Sequence, residues 1–393
     1  MGPQHPLRIV VVGAGVGGIS VARALVDDGH DVVVLDQRSA VTAGGGAVTI
    51  WPNGAAVLGQ LGVDLHGSGQ LLSTLRIAMP SGHRLATIDL AAIGDRLEGP
   101  VRMVPRQVLL DRLLDGFAAQ RIRTDARVVA VSHGAAGATA TLADGSAVPG
   151  DVLIGADGLH SVVRRSIGAP PAAPTGWCSW QGLLTLPDIA DPQLATQVVG
   201  EHGTVGLWPA GGRAMQWWFD TPWSPGFVRP RRPLGMIRSR FGGWSEDIDR
   251  VLALLTDDDL APSPFPHMRH PIPRVRDNRA VTLLGDAAHT MPPFLAQGAN
   301  QALLDTMVLR AALRYERNLS GALRCYEDIR RQPVGAVSWL ASRQVSQKDF
   351  LLRPSAIIPD RFTTWALTRF LAAVSHHAVA RKSDRCGLHQ AQG

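Results

Sequence analysis

The sequence predicts an α/β fold carrying a β-rich insertion, and three observations lead to it. Arg8-Ile9-Val10-Val11-Val12 is an unbroken β-branched run, as a parallel strand buried on both faces requires, and it opens directly into Gly13-x-Gly15-x-x-Gly18. Two more apolar strand runs, 152–154 and 280–284, end in Gly-Ala-Asp-Gly and Gly-Asp turns far downstream. Between those two runs the pattern changes. Seven of the ten tryptophans fall within 177–244, in short alternating runs broken by Pro and Gly, which reads as an antiparallel sheet with one buried face.

In chain order, the strand at 8–12 is followed by a helix over 19–28, closed by Gly29 in the manner of a helix C-cap, and a strand over 31–35. A helix with Val108, Leu109, Leu113 and Phe117 along one side precedes strands near 128–132 and 138–142, with a hairpin turn at Asp144-Gly145. The prolines at 262, 264, 266, 271 and 273 mark the return from the insertion. A long helix starts near Gly298; helical patterns run to about 345 and again over 360–380.

Composition narrows the function classes. At 393 residues, 45% hydrophobic and 18% charged, the chain can build two or three packed domains, and long disordered segments are not expected. No uninterrupted apolar run approaches the length of a membrane span, and residues 1–7 carry no secretory-signal pattern. Cys178, Cys325 and Cys386 are far apart and in no CxxC spacing, which argues against a disulfide framework or thiolate zinc site and suits the cytoplasm. The net charge of +6 is spread along the chain, without the basic stripe of a nucleic-acid binder. His267 with His270, and His376 with His377, lack metal-ligand companions, so no metal is expected.

The N-terminal motif carries the first chemical statement. Gly13 makes a tight turn, Gly15 lets backbone approach a pyrophosphate, Gly18 permits close helix–strand packing, and the helix N-terminus offers free amides to phosphate. Asp36, 18 residues after Gly18 at the end of the second strand, stands where a carboxylate accepts from a ribose hydroxyl. Together these predict dinucleotide binding, without deciding which dinucleotide.

Two later stretches are more specific. Gly155-Ala156-Asp157-Gly158-Leu159-His160-Ser161 with Arg164 resembles the DG motif of the flavoprotein aromatic hydroxylases. Leu284-Gly285-Asp286-Ala287-Ala288-His289, with Pro292, Pro293, Gln297, Gly298 and Asn300, is similar to that family's GD motif, and Arg106-x-x-Leu109 matches a smaller feature. The three occur in the family's order and cover most of the chain. One position departs: the family's Gly-Gln-Gly reads Ala296-Gln297-Gly298. The resemblance is to single-component FAD-dependent monooxygenases of the p-hydroxybenzoate hydroxylase, salicylate hydroxylase and tetracycline-inactivating type.

That resemblance implies a p-hydroxybenzoate hydroxylase-like architecture: a Rossmann-like FAD-binding domain (1–76, 99–175 and 270–345), a mostly antiparallel substrate-binding sheet (77–98 and 176–269) and a C-terminal helical segment (346–393). It implies FAD as cofactor, held by Gly13, Gly15, Gly18, Asp36, Arg106, Asp157, Asp286, Gly298, Ala299 and Asn300, with the loop Gly44-Gly45-Gly46 beside the flavin and Trp51 and Asn53 on the turn after it. NADH or NADPH would dock transiently, since no second GxGxxG is present. Oxygen would add to reduced flavin as a C4a-hydroperoxide, and one oxygen atom would pass to an aromatic or polycyclic small molecule by hydroxylation or epoxidation.

Because the flavin carries that chemistry, no protein nucleophile is needed, and Pro293 and Gly298 are the catalytic candidates. Trp208, Trp217, Pro293 and Phe294 are candidates to touch substrate, and His202, Arg213 and Asp220 are the available candidates for a base. A monomer or homodimer is expected. Three other readings stay open: a flavin-dependent halogenase, which needs an early lysine and a WxWxIP stretch that this chain lacks; a plain NAD-dependent dehydrogenase, which leaves Asp157 and Asp286 unexplained; and a flavoprotein that cyclises its substrate without oxygenating it.

Overall fold

The computed structural model describes residues 6–134, 136–272, 280–316, 318–342 and 359–375. Arg8–Val12 lies at the centre of a five-stranded sheet, between Val152–Gly155 and Asp31–Leu35, with Val281–Leu283 and Ile122–Arg123 at the edges, and every pairing is parallel. Side chains alternate across such a strand. Ile9 and Val11 therefore join one core with the helices Val16–Asp27 and Gly298–Tyr315. Val10 and Val12 join another, under the three-stranded meander of 128–134, 137–142 and 147–150. The first helix begins a turn earlier than the apolar pattern indicates: the Ile19 amide already bonds the Gly15 carbonyl at 2.9 Å. Gly17 and Gly18 weaken the local helical signal without preventing the helix.

The insertion builds a seven-stranded sheet in the order Phe265–Arg269, Ala173–Thr185, Ala214–Pro222, Gly203–Gly211, Leu194–Gly200, Thr74–Ala78, Arg84–Asp89. All its pairings are antiparallel except Leu194–Gly200 with Thr74–Ala78. The early excursion into this sheet thus starts at Thr74. One face is apolar: Cys178, Trp180, Val205, Leu207, Met215, Trp217 and Phe219 pack against the helices Pro233–Phe241 and Glu246–Leu254. The other face turns toward the parallel sheet. A small sheet of Ala47–Ile50, Arg102–Pro105 and Gln70–Leu71 joins the two halves.

Helix Leu319–Ala341 lies beside Gly298–Tyr315, and helix Asp360–Ala373 covers the edge strand Arg84–Asp89. Asp360 accepts from the Thr87 amide at 2.9 Å and pairs with Arg84 at 2.5 Å, and Thr364 accepts from the Asp89 amide. Expected helix beyond 375, and the proline at 273, lie outside the described residues. No helix of the described residues is long and apolar enough to cross a membrane, and no cluster among them could hold a metal ion.

Candidate active site

The glycine motif divides into two jobs. Gly13 has φ +104°, and a Cβ there would stand 2.4 Å from the Ala156 carbonyl oxygen; at Gly18 it would stand 1.8 Å from the Gly13 oxygen. A Cβ at Gly15 would meet no protein atom within 4 Å, so that position fronts open space. The space is a cavity of about 590 Å³ between Gly13, Asp36, Arg38, Asp157 and Arg165. A second cavity, about 460 Å³, adjoins it, with Gly15, Arg38, Ala156 and Gly158 in the lining of both, and reaches the tryptophans of the large sheet.

Asp36 is 4% exposed and fully engaged. Oδ2 accepts from the Ala14 amide and Arg38 NH2, and Oδ1 accepts from the Arg38 amide and Nε, at 2.7–2.9 Å. Burial pushes this carboxyl up, but the Arg38 hydrogen bonds and the Ala14 amide outweigh it and hold it below its ordinary value. A ribose hydroxyl therefore competes with Arg38 for this carboxylate, a partner the sequence reading did not include.

Asp157 faces the same cavity, yet its oxygens are spent on its own chain. Ser161 Oγ donates to Oδ1 at 2.5 Å, and the Val162 and Val163 amides donate to Oδ2. Its part is to cap the helix Val162–Ser166 and shape the Gly155–Gly158 turn, not to offer a free carboxylate. Arg164, 2% exposed, leaves that helix and donates to four main-chain carbonyls, those of Pro170, Pro271, Ala287 and Ala288. It clamps the two motifs together, and burial brings its pKa down to about 10.

Asp286 opens the short helix Asp286–His289 and is exposed to the second cavity, with no hydrogen bond to its carboxylate among the described residues. Its turn is held from behind. Buried Asp305 accepts from the Gly285 amide at 2.9 Å, from His289 Nε2 at 2.6 Å and from Arg330 Nε at 2.6 Å. Burial works against that charge, but His289 and Arg330 hold the Asp305 carboxyl below its ordinary value. His289 is thereby a brace under the turn. Asp305 was missed in the sequence, although a lone carboxylate after Ala302-Leu303-Leu304 on a helix was a signal for it. Arg106 reaches the cavity from the other side. Among the described residues its buried Nε has no acceptor, and burial depresses its pKa against the opposing pull of Asp286.

Gly298 and Ala299 line the cavity at the N-terminus of their helix, where first-turn amides have no intrahelical acceptor. Asn300 does not reach it: Oδ1 accepts from the Trp51 amide, and Nδ2 donates to the Thr49 and Ala296 carbonyls. Its side chain pins the helix to the turn at 49–51, which leaves its main-chain amide, in the first turn of the helix, as the group that could serve a ligand. Ala296 sits in the left-handed region, φ 48° and ψ 34°, which is where a glycine would be unstrained. Pro293 and Phe294 stand in the cavity wall, as does Gly44.

Strand alternation decides the tryptophans. Trp208 and Trp218 line the cavity, with ring centroids 5.6 Å apart. Trp217 does not; it is 0% exposed in the apolar core beside Phe219, which overturns its candidacy as a substrate residue. Gln181, Trp218, Gly206 and Gln197 form one row across four strands. The indole of Trp218 fills the place of a side chain at Gly206, where a Cβ would be 1.9 Å from its Cζ2. Of the three residues considered as a base, His202 and Arg213 are exposed and off the cavity, and Asp220 lines it.

This arrangement, an elongated cleft from a glycine turn past an open carboxylate and a helix N-terminus to an aromatic floor, agrees with the comparisons. A family model described as an FAD binding domain matches residues 7–338. The chain belongs to that family. It is 32% identical over 333 residues to an FAD-dependent urate hydroxylase of Klebsiella pneumoniae, covering 82% of this chain and 85% of the relative. It is 32% identical over 356 residues to a 3-amino-4-hydroxybenzoate 2-monooxygenase of Streptomyces cremeus, covering 86% and 87%. The structure of Klebsiella pneumoniae HpxO complexed with FAD and uric acid superposes with TM-score 0.85 at 26% identity, over 93% of this chain and 97% of that one. FAD is thus the cofactor, monooxygenation the class of reaction, and the architecture that of the p-hydroxybenzoate hydroxylase-like flavoproteins.

Proposed function

We propose that the chain oxygenates a flat aromatic or heteroaromatic small molecule, with NADH or NADPH as electron donor, in the cavity between Asp286 and the Trp208–Trp218 floor. The observation that carries this is that the two cavities adjoin, with Gly15, Arg38, Ala156 and Gly158 in the lining of both. It gives a dinucleotide a path from the glycine turn to the substrate floor.

The residues fit FAD by their unsatisfied chemistry: the open Asp286 carboxylate suits polyol hydroxyls, the acceptor-less Arg106 Nε suits an electron-rich edge, and Gly15 fronts the phosphates. Bound FAD would supply electron storage and oxygen activation, which no side chain here can. The first-turn amides at Gly298 and Ala299 would stabilise negative charge on the ring end of the cofactor. Trp208 and Trp218 would orient a flat ring, and Pro293 and Phe294 would close the wall and limit water. Asp157 and Asn300 act through the backbone they hold.

Purified protein should be yellow and release FAD on denaturation. Urate, aminohydroxybenzoates, phenols and polycyclic aromatics should be screened for stimulated NAD(P)H oxidation with matching oxygen uptake, and for one labelled oxygen atom in the product. Substrate conversion with no oxygen consumed would support a non-oxygenating role instead.

A further inference from the structure

We propose that the floor of the substrate cavity selects rings that carry an N–H or O–H donor and no carboxylate, with Asp220 as the group that accepts from the ring. This deepens the oxygenase reading above and rests on it. The cavity-facing positions of the central strands, two residues apart, are Ser179 and Gln181 on one strand and Gln216, Trp218 and Asp220 on its neighbour. Alternation puts Cys178, Trp180, Trp217 and Phe219 into the apolar core behind them.

Asp220 is 6% exposed and held in place: Ser179 Oγ donates to its Oδ1 at 2.5 Å, and His267 Nε2 lies 2.7 Å from the same hydroxyl and 3.7 Å from Oδ1. A carboxylate so anchored offers lone pairs to a substrate and no hydrogen. The donors that would serve the rest of the ring are also present. Trp208 Nε1 is buried in the cavity wall with no acceptor among the described residues, and Gln181 and Gln197 add side-chain amides. A ring with a donor toward Asp220 and a carbonyl or ring nitrogen toward these amides satisfies both sets.

A substrate carboxylate would not. Among the described residues lining the cavity, the arginines are Arg38 and Arg106, and both belong to the dinucleotide side: Arg38 is paired with Asp36, and Arg106 stands across from Asp286. On the floor a carboxylate would lose water and gain Asp220 as its neighbour, and among the described residues lining the cavity no arginine or lysine stands there to offset either cost.

A matched pair of ligands tests this: 3-amino-4-hydroxybenzamide and 3-amino-4-hydroxybenzoate share every ring donor and differ in one charge. Dissociation constants are read on the FAD-loaded protein by flavin absorbance change, and independently by quenching of tryptophan fluorescence. The wild type should bind the amide about a hundredfold more tightly, from the repulsion expected between carboxylates several ångströms apart in a partly shielded cavity. Asp220→Asn should bring the ratio to within about threefold, mainly by improving the carboxylate, since asparagine can donate to it.

Equal binding of the pair by the wild type, preference for the carboxylate, absence of amide binding, or an unchanged ratio in Asp220→Asn would each overturn the proposal. The wild-type ratio decides the matter even if the variant fails to fold. A wild-type protein that holds no FAD would sink the oxygenase reading itself, whereas an unselective protein with FAD in place sinks only the role of Asp220.

Discussion

Trp217 and Trp218 are adjacent in one strand and have opposite fates, so replacing each by leucine separates stability from binding. Trp217 is wholly buried, 5.7 Å from the Phe219 ring and pressed on Gly182, where a Cβ would be 2.9 Å from the indole. Leucine there gives up roughly 80 Å² of buried apolar surface, about 2 kcal/mol. The void left behind, on the order of 60 Å³, adds about 1.5 kcal/mol if the core does not collapse. A loss of about 3–4 kcal/mol lowers the melting temperature by about 4–5 °C in a chain of this size. Trp218→Leu removes an indole that faces the cavity, so it should cost under about 1 kcal/mol of stability and weaken an aromatic ligand about tenfold through lost stacking. Thermal denaturation and fluorescence-monitored binding, run on both variants with FAD content checked, give the four numbers. If the two variants lose stability and affinity to the same extent, the assignment of faces is wrong.

Asp286→Ala should lower FAD affinity about tenfold to a hundredfold by equilibrium dialysis, the worth of one hydrogen bond to a charged group, while leaving apoprotein melting nearly unchanged. Gly206→Ala should lift the Trp218 indole off its seat into the cavity; FAD content should hold while the KM for a polycyclic substrate rises at least about tenfold, and an unchanged KM would show the indole has room elsewhere. Ala296→Gly relieves a left-handed alanine, worth about 1–2 kcal/mol, against about 0.5–1 kcal/mol of added chain entropy, so urea unfolding should show a gain of up to about 1 kcal/mol.

Burial pushes Glu327 up to about 8 from its ordinary 4.5, so the folded state holds extra protons across that window. Its contribution is full below 4.5 and is lost as pH rises to 8. Buried His270, depressed to about 4 from 6.5, has the opposite slope between 4 and 6.5, which leaves 6.5–8 to report Glu327. Urea stability should fall across pH 6.5–8 in the wild type and stay flatter in Glu327→Gln; parallel curves would refute the shift.

By itself the sequence determined what depends on local backbone and on contiguous runs. The strand at 8–12, the glycine turn, the strand at 31–35 and the Asp286 turn are each written within a dozen residues, because a buried parallel strand needs unbroken apolar residues and a phosphate turn needs glycine at fixed positions. The alternating runs of the insertion also announced one buried face. They did not say which tryptophan faces where, since a shift of one residue in register exchanges the faces; the packing of helices Pro233–Phe241 and Glu246–Leu254 on one side settled it, sending Trp217 inward and Trp218 to the cavity. Contacts between distant segments were equally illegible. Asp36 meeting the Ala14 amide, Asn300 spent on the turn at 49–51, Asp305 bracing Gly285 and His289, and Ser179 with His267 fixing Asp220 all follow from which side chains the finished fold brings within 3 Å. Polar groups buried by tertiary packing must find partners wherever the fold supplies them, and sequence spacing does not encode that choice.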